Sequence, residues 1–227
     1  MLSSVRTLLF PDYCTACEIP LRSGESFLCT LCRHQVPETN FHLYNDATIK
    51  KVFYGRLELQ LATALFYFEK KGPIQKLMHQ LKYKGKEDIG QVLGDWLGTS
   101  LSTLPQYTAV DAVIPVPLHP KKMKKRGYNQ VSAFAKAISM HLNASYEDSI
   151  LVKSKNTQTQ VFKGRFTRSD EVLNAFSITD TQRLAGKHIL LLDDIITTGA
   201  TLEACGIELR KIPNITLSIA TMAIAGS

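Results

Sequence analysis

Two groups of residues in this 227-residue chain have the types and spacing that chemistry needs. The first is Cys14-Thr-Ala-Cys17, followed after eleven residues by Cys29-Thr-Leu-Cys32. A C-x2-C turn aims two thiolates at one point in space. Two such turns complete a tetrahedron of soft ligands and leave no open position for catalysis. Structural zinc is the expected occupant, with an iron–sulfur cluster as the alternative because four thiolates serve both. Two disulfides fit poorly with a reducing compartment, and a redox pair needs only one C-x2-C. The second group is Asp193-Asp194-Ile195-Ile196-Thr197-Thr198-Gly199-Ala200-Thr201. Two adjacent carboxylates at a strand end can accept hydrogen bonds from the vicinal hydroxyls of a ribose. A Thr-Thr-Gly turn into a helix offers free N–H groups and the helix dipole to a phosphate. The plainer reading is a capped helix after a buried strand, with two acids facing solvent.

These residues need a scaffold, and the apolar pattern supplies one. Leu61–Phe68, Ala109–Val116, His188–Leu192 and Ile215–Ile224 read as strands, with a short one at Ile150–Lys153. Ile74–Leu81, the 3.6-residue pattern from Ile89 to Leu101, Val131 to Leu142, and Gly199 to Lys211 read as helices. Fully apolar strands alternating with helices predict an α/β fold with a mostly parallel sheet covered on both faces. Ligands in such sheets bind beyond the carboxyl ends of strands, which singles out the residues after Val116 and Leu192. Cys205 falls at helical spacing with Leu202, Leu209 and Ile212 and reads as a core thiol.

Composition sets the outer limits. Apolar residues make up 44% and charged residues 21%, an ordinary globular balance. No stretch approaches the ~20 apolar residues of a membrane span, and Leu8-Leu9-Phe10 is too short for a signal-peptide core, so a cytoplasmic location is expected. The length suits one sizeable core with a small appended module: residues 1–38 as a four-cysteine zinc module of ribbon type, 39–60 as a linker and hood-like segment, and 61–227 as the main domain. A segment as small as the first needs metal binding for its folding energy. The net charge is +7, yet Ala112 to Ser169 alone carries eleven basic and two acidic residues. A positive field confined to one segment points to an anionic partner, either a phosphorylated small molecule or a nucleic acid. Its densest part, Lys121, Lys122, Lys124, Lys125 and Arg126, exceeds what one small anion needs and could track a nucleic-acid backbone, the bland reading being a solvated loop.

Leu190–Leu202, LLLDDIITTGATL, resembles the phosphoribosyl-pyrophosphate motif of type I phosphoribosyltransferases. Pro115–Pro120, Arg126-Gly-Tyr-Asn-Gln130, Leu81-Lys82-Tyr83, Thr157-x2-Gln160, Ala175-Phe176 and the cysteine module extend the resemblance to the ComF/GntX family over nearly the whole chain. The resemblance implies that Asp193 and Asp194 bind ribose hydroxyls and that Thr197, Thr198, Gly199, Ala200 and Thr201 cradle the 5′-phosphate. It also implies that the loop after Val116 receives pyrophosphate, with Arg126 as an anion contact and Mg²⁺ accompanying the ligand. Lys153–Arg168 would stand where this fold has its mobile loop. One departure is Glu171, which occupies a position where the family has asparagine. The implied partners are single-stranded DNA and proteins of a DNA-uptake apparatus, in natural transformation. Lys121, Lys122, Lys124 and Lys125 are the candidate DNA contacts. Two functions follow: a DNA-handling protein with phosphoribosyl pyrophosphate as ligand, or an active transferase of ribose 5-phosphate to an unknown acceptor.

Overall fold

The computed structural model describes residues 12–153 and 175–226. Its centre is a sheet of five strands, all paired in parallel. In chain order these are β1 (Ala62–Phe68), β2 (Ala112–Pro115), β3 (Ser145–Tyr146), β6 (His188–Ile196) and β7 (Thr216–Ala225), arranged β1-β7-β6-β2-β3 across the sheet. The alternation of side chains along a strand sorts the core into two layers. On β6, Leu190 and Leu192 join one cluster, whereas Ile189 and Leu191 join the other.

The first layer is covered by α4 (Pro73–Tyr83), α5 (Asp88–Leu101) and α8 (Ser132–Leu142). Helix α5 presents Gly90, Gly94 and Gly98 to α8; a Cβ at Gly94 would lie 2.6 Å from the Phe134 carbonyl oxygen. That close approach fixes α8, and hence the segment before it, against α5. Preceding these helices, α1 (Thr30–Gln35) follows the second cysteine pair, and Leu28 and Val36 bury into the same layer as Leu65 and Phe66. The cysteine segment therefore shares the main core rather than standing apart from it.

The second layer is covered by α2 (Phe41–Tyr44), α3 (Thr48–Val52), α9 (Ala200–Leu209) and a separate antiparallel pair, β4 (Leu151–Lys153) with β5 (Phe176–Ile178). The remaining helices among the described residues are the short α6 (Pro105–Thr108), just before β2, and α7 (Pro120–Arg126), between β2 and α8.

Several boundaries differ from expectation. The strand Ala109–Val116 begins only at Ala112, because α6 and its turn take up the preceding residues. Ile150–Lys153 does form a strand, but it pairs with β5 outside the main sheet. The strand predicted to stop at Leu192 runs on to Ile196, so both acids lie within it, in register with β7 at Asp193↔Thr221. The lysine run is not a loop. His119 Nδ1 accepts a hydrogen bond from the Lys121 amide at 3.1 Å, Pro120 occupies the first turn, and Gly127 ends helix α7 at φ +87. Three cations in the last turn complement the helix dipole. Among the described residues no helix is long and apolar enough to cross a membrane. Beyond Lys153, the basic segment through Arg168 lies outside the described residues, as do Thr157, Gln160 and Glu171.

Candidate ligand site and metal centre

Successive residues on a strand face opposite ways, so Asp193 and Asp194 cannot act as a matched pair on one side of the sheet. Asp194 turns toward α4 and α8. Its Oδ2 stands 2.8 Å from Lys82 Nζ and accepts a 2.7 Å hydrogen bond from Gln130 Nε2. Gln130 in turn accepts from the Arg126 guanidinium through Oε1. Tyr128 donates to the Leu81 carbonyl, and Asn129 Nδ2 donates to the Val116 carbonyl at 2.9 Å. The segment Arg126–Gln130 is thereby stitched both to the end of α4 and to the loop after β2.

Asp193 faces the other layer, toward Lys153 and Cys205. Burial first, and then the charge of Asp194, push its carboxyl up to about 7. Burial likewise lowers the Lys153 ammonium, while burial and the charge of Asp193 push the Cys205 thiol well up. Cys205 is the core thiol that its spacing predicts, with the addition of a charged neighbour. Among the described residues Asp193 accepts only the 2.8 Å hydrogen bond from the Asp194 amide, through Oδ1, which leaves Oδ2 for a hydroxyl or a cation-bound water.

Beyond the acids, Thr197 and Thr198 are exposed and Gly199 is buried at φ +77. A Cβ at Gly199 would lie 2.8 Å from the Phe53 ring and 3.1 Å from Val52 Cγ1. The segment following α3 therefore forms a wall against the loop, and only glycine fits between them. Gly199, the N-cap of α9, has no side chain to offer its first turn, and the Ala200 amide donates instead to Thr198 Oγ1 at 3.5 Å. Ala200 is exposed and Thr201 half-buried at that turn.

Helical spacing divides the lysine run. Lys122, Lys125 and Arg126, at i, i+3 and i+4, line a cleft of about 300 Å³ with Lys82, Tyr83 and Gly85. Lys121 and Lys124 are exposed on α7 away from that lining. Two of the cleft cations, Lys82 and Arg126, are those connected to Asp194.

The four cysteine sulfurs all lie within 4.8 Å of one another, and none is in a disulfide. Cys17 Sγ and Cys29 Sγ are 3.7 Å apart. A tetrahedron with zinc–sulfur bonds of about 2.3 Å has edges of about 3.8 Å, so the Cys17–Cys29 edge already matches and the quartet is close to a zinc site. Burial raises the Cys14 thiol, but backbone hydrogen bonds involving Cys29, Cys17 and Ala16 outweigh it and bring it to about 6. Cys32 is pushed up by burial and by its crowded neighbours. A bound cation would favour the thiolate form that metal ligation needs.

The phosphoribosyl transferase domain family model matches residues 132–221, which span α8 to β7. The "DNA utilization protein YhgH" of Escherichia coli (strain K12) is 25% identical over 209 residues, covering 86% of this chain and 88% of that protein. "Competence protein ComFC" of Bacillus subtilis (strain 168) is 26% identical, covering 86% of this chain and 78% of that one. "Competence protein F" of Haemophilus influenzae is 29% identical over 144 residues, covering 62% and 63%. These relatives, the domain match and the cysteine cluster agree.

Together they support the ComF family for this chain.

Among solved structures, an adenine phosphoribosyltransferase from Saccharomyces cerevisiae aligns at 18% identity with a TM-score of 0.40, covering 69% of this chain and 75% of that one. A hypoxanthine phosphoribosyltransferase from Staphylococcus aureus aligns at 17% with a TM-score of 0.36, covering 60% and 62%.

In this chain the structure links Arg126 through Gln130 to Asp194 and gathers the four cysteines. It separates Lys122 and Lys125 from Lys121 and Lys124. The sequence assigns Lys82 and Gln130 no individual role and places Lys153 only as the end of a short strand and the start of the basic Lys153–Arg168 segment; here it ends β4. Lys82 and Gln130 sit inside short segments that carry the family resemblance, and that was the available signal. Nothing in the sequence marks Lys153 as facing Asp193, because the packing of β4 against the far layer is a tertiary event.

Proposed function

We propose that this chain is a competence protein that binds phosphoribosyl pyrophosphate with Mg²⁺ and carries single-stranded DNA on its basic surface during DNA uptake. The observation that carries this reading is the continuous connection from Asp194 through Lys82, Gln130 and Arg126 into a cationic cleft. Asp193 and Asp194 hold the ribose hydroxyls from the two sides of β6. The turn Thr197–Thr201 holds the 5′-phosphate, with Gly199 allowing close approach. Lys82 and Arg126 receive the pyrophosphate. The free Oδ2 of Asp193 suits an oxygen-loving cation or its water, and bound Mg²⁺ would neutralise pyrophosphate charge. Lys121, Lys122, Lys124 and Lys125 are left for a nucleic-acid backbone, and proteins of the uptake apparatus are its further partners.

The division into 1–38, 39–60 and 61–227 goes with this reading, the first segment acting as a metal-held brace on the main core. The reading is tested by calorimetry with phosphoribosyl pyrophosphate, with and without Mg²⁺, followed by titration with a single-stranded oligonucleotide. Binding of neither ligand overturns it.

A second reading, Mg²⁺-dependent transfer of ribose 5-phosphate to an unknown acceptor, is favoured by Asp193. A carboxyl poised near 7 could take a proton from an acceptor. Release of pyrophosphate in the presence of candidate acceptors separates this reading from binding alone.

A further inference from the structure

Helix α4 has one face in the core, through Ile74, Leu77, Met78 and Leu81. Its other face, with Lys76, His79 and Tyr83, is exposed. Tyr83 is 64% exposed, so its ring face is open to solvent. The ring is held in place: the His79 imidazole lies 5.0 Å from it, and the Arg126 guanidinium stands 5.7 Å from its centroid.

This aromatic ridge separates two cavities. On one side is the cleft described above, with Lys82, Lys122, Lys125 and Arg126. On the other side an open groove of about 930 Å³ runs toward the cysteine centre, lined by Cys17, Glu18 and the cations Lys76, Lys84 and Lys86. Gln80 donates to the Thr15 carbonyl and ties α4 to the cysteine segment, so the groove floor is fixed. Glu18 is the one acidic residue among the described linings of both cavities.

A single small anion needs one of these cavities. Cations spread over both, with an accessible π-face between them, match a chain of phosphates whose bases are free to stack. A duplex hides its base faces, and an acidic peptide has no use for the rings.

We propose that the groove astride α4 is a single-strand nucleic-acid track in which Tyr83, steadied by His79 and Arg126, stacks on a base while Lys76, Lys84 and Lys86 contact the backbone. The proposal rests on the single-strand reading above and extends the track away from the lysine run, toward the metal module.

The test uses the full zinc-loaded chain and a labelled oligo(dT), followed by fluorescence anisotropy over a range of salt. Tyr83→Ala should weaken binding about tenfold or more with little change in salt slope, because stacking involves no counterions. Tyr83→Trp should retain affinity. The double variant Lys84→Ala/Lys86→Ala should flatten the slope by about 1.4, near 0.7 for each lost contact, and keep its calorimetric response to phosphoribosyl pyrophosphate. Melting temperatures check that each variant is folded. If the parent binds the strand and all three variants match it in affinity and slope, the track lies elsewhere and the single-strand reading survives. If the parent binds no strand, that reading falls and takes this one with it. Equal affinity for duplex and single strand overturns the stacking role.

Discussion

Lys82 Nζ sits 2.8 Å from Asp194 Oδ2 and at the same time lines the basic cleft beside Tyr83. Under the proposed function one ammonium would serve two ligands. An anion entering the cleft would compete with Asp194 for that ammonium, and a ribose on Asp194 would change how firmly the ammonium is held. Any effect of one ligand on the other must be reciprocal. Lys82→Met is expected to weaken phosphoribosyl pyrophosphate about tenfold to a hundredfold, the value of a charge-assisted hydrogen bond. It should also abolish whatever coupling exists between that ligand and an oligonucleotide. Calorimetry with each ligand, alone and in the presence of the other, measures both effects.

The division of the lysine run by helical spacing gives a second outcome. Lys122→Ala/Lys125→Ala removes two cations from the cleft, whereas Lys121→Ala/Lys124→Ala removes two from outside its lining. The first pair should weaken anion binding in the cleft by the larger factor, although net charge changes equally. Titration with inorganic pyrophosphate at fixed ionic strength compares them.

Gly199 combines positive φ with a wall of Phe53 and Val52. Gly199→Val should lose phosphoribosyl pyrophosphate binding and lower stability by about 1–3 kcal/mol through overpacking and backbone strain. Gly199→Val with Phe53→Ala should recover part of the stability but little of the binding, since the φ requirement remains. Denaturant melts together with calorimetry separate the two effects.

The pH dependence of Asp193 has a definite sign. Its folded-state carboxyl is raised to about 7 from 3.8, so between those limits the folded chain holds the extra proton. Its contribution to stability is full below about 4 and is lost as pH rises through 7. Asp193→Asn keeps the neutral form at every pH. The variant should therefore melt near the parent at about pH 4 and above it at pH 8, with the gap opening between about pH 4 and 7. Thermal melts at both pH values check this.

Metal removal has an internal reporter. The chain's one tryptophan, Trp96 on α5, lies edge-on to the Phe66 ring at 5.3 Å, and the Arg33 guanidinium of α1 is 4.4 Å from the indole. We expect about one zinc per chain. Stripping it, or Cys29→Ser, should release α1 from α5 and shift the Trp96 emission to the red. Elemental analysis alongside fluorescence tests this, and metal-free protein with unchanged emission would contradict it.

What could be read from the sequence divides along a physical line. The strand and helix cores were legible because burial writes its period into the chain: β1 begins one residue after the expected Leu61, and α8 keeps the face from Phe134 to Leu142. The cysteine quartet was legible because ligand spacing is local. The extension of β6 through the acids was not, since Asp193 and Asp194 look like a strand end until β7 pairs alongside them. Helix α7 was hidden by five cations in six residues, which read as a solvated loop until His119, Pro120 and Gly127 are seen as its caps. The two faces of the acid pair were implicit in strand geometry once the strand was known to continue. Lys82 and Lys153 could not be placed without the packing of distant elements.

The order β1-β7-β6-β2-β3 also bears on how the chain comes into being. Strand β7 lies between β1 and β6, yet it is the latest of the five in sequence. While the ribosome is still making the preceding residues, β1 has only the short segment around Glu38 along its outer edge, and β6 has one bare edge. Both are apolar parallel-sheet strands awaiting a partner, and β1 waits while the 147 residues between Phe68 and Thr216 are made. The nascent protein is thus two unjoined half-sheets until β7 slides between them. Slow, non-local pairing of this kind leaves strand edges open to other chains and makes the newborn polypeptide a natural client for chaperones.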